Sequence, residues 1–237
     1  MNRLQRHVFL TYTRLRYGLA FLAAIYPVLL YAVGSVFHGI SPRDTMSEYY
    51  YASAAGASDA PMRVWFVGVL FAMGVFLMLY RGFSLRENLF LNLAGILAIC
   101  VAVFPMPWGC AQACPALNLH RLAAILFFAC IAYVSVRCAR ETLYLISDAT
   151  LRERYRRRYR WIGLAMLFSP VVALVFSGMV GGMQKYVYIF ETLGIWAFAY
   201  YWWTKSRELA LTGAEMLALQ GKIGDPGANP PALAPSP

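Results

Sequence analysis

The sequence predicts an all-α integral membrane protein, a bundle of six transmembrane helices with both termini in the cytoplasm. Three observations predict it. Hydrophobic residues make up 60% of the 237-residue chain and charged residues only 14%, against about 25% charged in an ordinary soluble protein. The apolar residues fall in runs near the ~20 residues a helix needs to cross a bilayer, not in the dyad alternation of barrel strands. The lysines and arginines sort to one side of the membrane that those runs imply.

The first span is Tyr17–His38, after a basic arm over residues 1–16 that carries Arg3, Arg6, Arg14 and Arg16. Its apolar run exceeds the ~7–15 residues of a cleavable signal, so it is read as a retained helix. The other spans are Arg63–Gly82, Asn88–Pro105, His120–Cys138, Arg160–Gly182 and Tyr186–Lys205. Pro27 and Pro170 fall mid-span and predict kinks. Gly68/Ala72, Ser177/Gly181 and Gly178/Gly182 have the small-xxx-small spacing that lets helices approach closely in lipid. Residues 206–237 form a cytoplasmic tail. From Gly224 it is rich in proline and alanine without periodicity, which predicts disorder.

With six spans, 17 of the 21 basic residues face the cytoplasm, leaving Arg43, Arg63, Arg121 and Lys185 outside. Five or seven spans would spoil this sorting. Aromatic residues fall at the same boundaries: Tyr200, Tyr201, Trp202, Trp203 and Trp161 inside, Trp65 and Trp108 outside. The densest basic run, Arg152–Arg160, is predicted to anchor topology and to meet anionic lipid head groups. The net charge of +10 is therefore accounted for without nucleic acid.

The chain has three histidines, His7, His38 and His120. His7 is on the opposite side from the other two, which excludes a three-histidine zinc site, and no metal or cofactor is expected. Cys110 and Cys114, in the outer loop after the third span, are candidates for a local disulfide. Cys100, Cys130 and Cys138 read as packing residues.

Candidate chemistry gathers on the outer side. Glu191 is the only acid well inside a predicted span, where charge is costly and needs a polar cavity or a partner. His120 opens the fourth span, followed by Arg121. The first outer loop, Ser41–Tyr51, packs Asp44, Ser47, Glu48, Tyr49, Tyr50 and Tyr51 into a short polar segment. The topology puts Glu48, Tyr49, Tyr50, Tyr51, Arg63, His120 and Glu191 on one side, as candidates to line a ligand pocket. Catalytic candidates are His120 as base, Glu191 or Asp44 as acid or orienting group, and Ser47 as nucleophile.

Met46–Tyr51, Arg63–Gly74, Tyr80–Gly82, Asn92–Gly95 with Phe104–Pro105, His120–Phe128, and Glu191 with Trp196 carry a resemblance. Over residues 17–205 the chain resembles a family of uncharacterised bacterial six-span proteins allied to the DUF998 and Frag1/DRAM/Sfk1 groups. The resemblance implies a bacterial inner membrane and a role in lipid handling, sensing or trafficking, and supplies no catalytic set. The chain differs from hydrolases of the alkaline ceramidase type, because it lacks their His-x-x-x-His pair for zinc.

The leading expectation is a protein that binds or senses a membrane lipid or small amphiphile at an outward-facing polar pocket. There, Arg63 would meet an anionic head group and Glu191 would accept a hydrogen bond. The alternatives are a lipid-modifying enzyme using His120 and Glu191, and a proton-coupled transporter carrying protons on Glu191.

Overall fold

The computed structural model describes residues 3–56, 58–108, 118–177 and 186–221. Among them there is no β-strand. Six long helices run α1 Arg3–Ala32, α2 Met62–Leu79, α3 Leu85–Val103, α4 Leu119–Val136, α5 Ala149–Ser177 and α6 Val187–Thr212, followed by a short α7, Ala214–Leu219. Short segments of other pitch accompany them: a π-helical turn at Val33–Phe37 that continues α1, and 3₁₀ segments at Ser47–Tyr50 and Cys138–Leu145.

Each long helix packs on its neighbours in sequence, and α6 closes the ring against α1. Five stretches are long and apolar enough to cross a membrane: Gln5–Phe37, Met62–Leu79, Leu85–Val103, Leu119–Leu145 and Ala149–Phe176. The apolar side chains left outward on these helices, such as Phe21, Val64, Leu89 and Phe168, suit lipid rather than water. This is the fold of a helical membrane protein. Helix α6 is as long as the others, but its tyrosines, its tryptophans and Glu191, Lys205, Arg207 and Glu208 lower its hydropathy.

Local chemistry explains the helix starts. The Ser84 hydroxyl accepts from Glu87 N at 3.1 Å and opens α3. Asn118 Oδ1 accepts from Arg121 N at 3.0 Å and opens α4. Asp148 Oδ1 accepts from Thr150 N at 2.8 Å and opens α5. Each satisfies an amide that the first turn leaves without an intrahelical partner. Gly213 ends α6 at φ +61°, a left-handed conformation that glycine adopts freely.

Helices α2 and α3 meet at glycines that the small-residue spacing did not mark. Gly68 meets nothing within 4 Å of an added Cβ, whereas Gly74 and Gly95 pack face to face. A Cβ on Gly95 would lie 2.6 Å from the Gly74 carbonyl oxygen, so α2 and α3 touch backbone to backbone. Small-residue spacing alone does not say which face of a helix meets its neighbour. The Gly178/Gly182 pair, Gly181, Cys110, Cys114 and the tail from Gly224 lie outside the described residues. The three described cysteines are free thiols.

The basic segments are more ordered than a loop reading implies. Helix α1 begins at Arg3, so the N-terminal arm forms its first turns. Helix α5 begins at Ala149, which makes Arg152–Arg160 helical: Tyr155 and Tyr159 face the core, while Arg154, Arg156, Arg157, Arg158 and Arg160 face outward. Four residues apart on a helix is one face.

At this same end of the bundle lies a buried polar network absent from the sequence reading. Arg16, 1% exposed, forms an ion pair with Glu215 of α7. Lys205 Nζ donates to Glu208 Oε2 at 2.9 Å and to Thr142 Oγ1 at 2.7 Å, and Tyr159 Oη donates to Glu208 Oε2 at 2.6 Å. Tyr201 and Trp202 are wholly buried beside it, while Tyr200 and Trp203 face out. The four-residue aromatic run is thus split between core and boundary by the helical period.

Candidate functional site

The opposite end of the bundle holds the residues that the sequence singled out. The segment between α1 and α2 folds as a turn leading into the Ser47–Tyr50 3₁₀ segment, and reciprocal side-chain bonds shape it. Thr45 Oγ1 accepts from Glu48 N at 3.1 Å, and Glu48 Oε2 accepts from Asp44 N at 3.2 Å. These two bonds satisfy amides at the start of the turn, as in a capping box. Burial pushes the Glu48 carboxyl above the ordinary carboxylate range, partly offset by the Asp44 amide.

Two further bonds tie the turn to α6. The Asp44 carbonyl accepts from Tyr188 N at 2.8 Å. The Met46 N–H donates to Glu191 Oε2 at 2.7 Å. A carboxylate accepting a backbone N–H is among the stronger neutral-donor bonds. Glu191 therefore holds the turn in place, and Ser47 follows directly after the tethered residue.

Ser47 Oγ lies 2.8 Å from His120 Nε2. The other ring nitrogen, Nδ1, lies 2.9 Å from the Phe104 carbonyl oxygen. A carbonyl only accepts, so Nδ1 carries the proton and Nε2 is left as the acceptor for the Ser47 hydroxyl. This is the tautomer a general base needs, with the nucleophile's proton already aimed at it. Phe104 is the C-cap of α3, and Pro105 after it cannot continue the helix. The α3 C-terminus thus presents an unclaimed carbonyl, and the negative end of its dipole, to the imidazole. The Phe66 ring is nearly parallel to the imidazole, with centroids 6.5 Å apart.

Two cavities meet at this pair. The first, about 110 Å³, is lined by the polar Thr45 and Arg121 and by an apolar wall including Pro170 and Leu174 of α5. The second, about 80 Å³, runs between Tyr26, Leu70, Ala98 and Ile195 and is almost wholly apolar. Ser47, His120, Ala124, Phe128 and Glu191 line both. Near this junction α6 approaches α5 at Gly194, where an added Cβ would collide with the Ser169 side chain.

The other candidates are placed elsewhere. Arg63 is exposed and lies on Tyr50, with its guanidinium 4.6 Å from the ring centroid and its Nε donating to the Tyr50 carbonyl. It lines neither cavity. Tyr51 Oη donates to the Met106 carbonyl at 3.0 Å, and its ring stacks on Trp108. Tyr49 is wholly buried, packed against Tyr188. The tyrosines form the frame of the turn rather than the cavity lining. Asp44 contributes backbone atoms to the turn and its tie to α6, and no acid to the dyad.

Two elements of the site were not foreseen. The Phe104 carbonyl orients His120, where an acid was expected, and the signal available for it was the Phe104–Pro105 helix end. Arg121, rather than Arg63, supplies the cation at the cavity. Among the described residues no group of three His, Cys, Asp or Glu is clustered to hold a metal ion. No family model, curated protein or solved structure matches the chain. The fold and site together define a helical membrane protein with a serine–histidine pair where two cavities meet.

Proposed function

We propose that the protein is a membrane-embedded lipid-modifying enzyme in which Ser47 is the nucleophile and His120 its general base. The observation that carries this reading is the 2.8 Å Ser47–His120 contact with the Nδ1 proton assigned to Phe104. Hydrogen-bond distance between nucleophile and base, with the base oriented by a third group, is the arrangement that acyl transfer requires.

The chemistry is acyl transfer from a lipid ester. Ser47 Oγ attacks the acyl carbonyl carbon as its proton passes to His120 Nε2. The tetrahedral adduct expels the alcohol, which takes that proton and leaves an acyl group on Ser47. A water molecule, deprotonated by His120, attacks the acyl-serine. The fatty acid leaves and the proton returns to Ser47. The partial negative charge of the α3 C-terminus favours the imidazolium formed in each half. Arg121 complements an anionic head group on the leaving alcohol.

The reading places the chain in a bacterial inner membrane, with α6 as a sixth span and both termini in the cytoplasm. The 17-to-4 sorting of basic residues supports this. The outward arginines of Arg152–Arg160 would then meet anionic lipid head groups of the inner leaflet.

A second reading is binding or sensing of the same lipid without turnover. It is favoured by the partner of Glu191, which is the Met46 amide rather than His120, so that no carboxylate backs the imidazole. Incubating purified protein with a serine-reactive alkyl fluorophosphonate and mapping the adduct separates the two. Modification of Ser47 that is lost in His120→Ala supports the enzyme. Unmodified Ser47 in a folded protein that still retains lipid supports binding alone.

A further inference from the structure

We infer that the second, apolar cavity is an acyl-chain slot that selects substrate by chain length, with Ala98 at its closed end, and that the head group occupies the first cavity beside Arg121. The inference rests on the serine–histidine reading and names the substrate of that site: a lipid with one chain directed into the bundle and a polar or anionic leaving group.

The two cavities differ in chemistry across the dyad. The first has Thr45 and Arg121 in its lining, besides the Glu191 it shares with the second. The second is lined by Leu70, Ala98, Val101, Phe127 and Ile195, and its polar atoms come from the shared junction and Tyr26. The Tyr26 hydroxyl is directed at the Phe66 carbonyl, 3.4 Å away, leaving its ring as cavity wall. A scissile ester at Ser47 would therefore have its acyl side facing an apolar space and its alcohol side facing a cation, and the reverse orientation would bury the head group without partners.

The slot has a direction. His120 and Phe127, both on α4, line it seven residues apart, about 10 Å along a helix. Glu191 and Ile195 of α6 follow the same descent by one turn, as do Val101 and Ala98 of α3. These helices carry the slot away from the dyad into the bundle. By the same order along α2 and α3, Leu70 and Ala98 are the deepest lining residues of those helices, and both are almost wholly buried. Ala98 is the smallest residue there, so the depth of the slot depends on its lack of a side chain beyond Cβ.

The test uses purified protein in detergent and two probes, an ethyl and an octyl fluorophosphonate, with Ser47 modification followed by intact mass. Wild type is expected to react at least about tenfold faster with the octyl probe, because its chain is desolvated in the slot. Ala98→Phe should lose that preference by slowing the octyl reaction more than the ethyl reaction. Ala98→Leu should give an intermediate ratio and guards against misfolding of the larger variant. Gly68→Val, which lines neither cavity and has open space around it, should keep the preference. An unchanged chain-length ratio in both Ala98 variants overturns the slot while leaving the dyad standing. If neither probe modifies Ser47, the enzymatic reading falls, and native mass spectrometry of added octanoate decides the slot. Retention lost in Ala98→Phe but kept in Gly68→Val upholds it as a lipid-binding cavity, and equal retention in all three proteins overturns it.

Discussion

Ser47 and His120 are 73 residues apart in sequence and 2.8 Å apart in space, and each is held by something other than its partner. Ser47 follows the Met46 amide that Glu191 grips. His120 is fixed through Nδ1 by the end of α3. The pair is thus preorganised by α3, α4, α6 and the first connecting turn together.

Ser47→Ala should abolish modification and turnover outright. His120→Ala should lower both by about a hundredfold to ten-thousandfold, the range supplied by a positioned general base. Rates of fluorophosphonate reaction as a function of pH provide the check. Equal rates in wild type and His120→Ala would remove the base from the mechanism.

Glu191→Gln keeps an oxygen for the Met46 amide and loses the charge. It should cost about 1 kcal/mol of stability, while Glu191→Leu, which strands the amide, should cost about 1–3 kcal/mol. Thermal unfolding in detergent measures both. A larger loss of Ser47 reactivity than of stability in Glu191→Gln would assign the carboxylate a part in the chemistry as well.

Glu48 gives a pH dependence. Its carboxyl is raised by burial, so the folded protein binds this proton more tightly than the unfolded chain. The associated stability is fully present below the ordinary carboxylate value and is lost as pH rises through the raised one. Melting temperature should therefore fall across that acidic window in wild type, and Glu48→Gln should flatten that part of the curve. Superimposable profiles would show that Glu48 does not contribute.

Lys205 and Glu208 are each about 1% exposed or less and bonded to one another. Lys205→Met leaves Glu208 buried without its cation, and should cost about 3–5 kcal/mol. Adding Glu208→Leu should recover much of that loss, because an apolar pair of similar volume often replaces a buried ion pair without penalty. Chemical or thermal unfolding of the single and double variants distinguishes this from simple additivity.

Gly95→Val should weaken the α2–α3 crossing, since even a Cβ would lie 2.6 Å from the Gly74 carbonyl oxygen. Overpacking of this kind costs about 1–3 kcal/mol. Gly68→Val, with open space around it, should be close to neutral by the same measurement.

The sequence by itself determined the class of fold and the side of the bundle on which chemistry collects. Long apolar runs fix helices because a chain in lipid must satisfy its backbone internally, and that constraint is local enough to read residue by residue. The same logic brought Ser47, His120 and Glu191 to one end. Tertiary structure decided which of the gathered residues touch. Arg63 turned to Tyr50, the tyrosines became a frame, and the Phe104 carbonyl took the place expected of an acid. The buried Arg16–Glu215 and Lys205–Glu208 pairs were illegible for the same reason. Arg16, Lys205 and the end of α6 read as boundary and tail in sequence, and only the packing of α7 and the Cys138–Leu145 turn against them takes them out of water. Hydropathy is a property of each segment, whereas a hydrogen bond depends on the relative rotation and depth of two helices, which no single segment encodes.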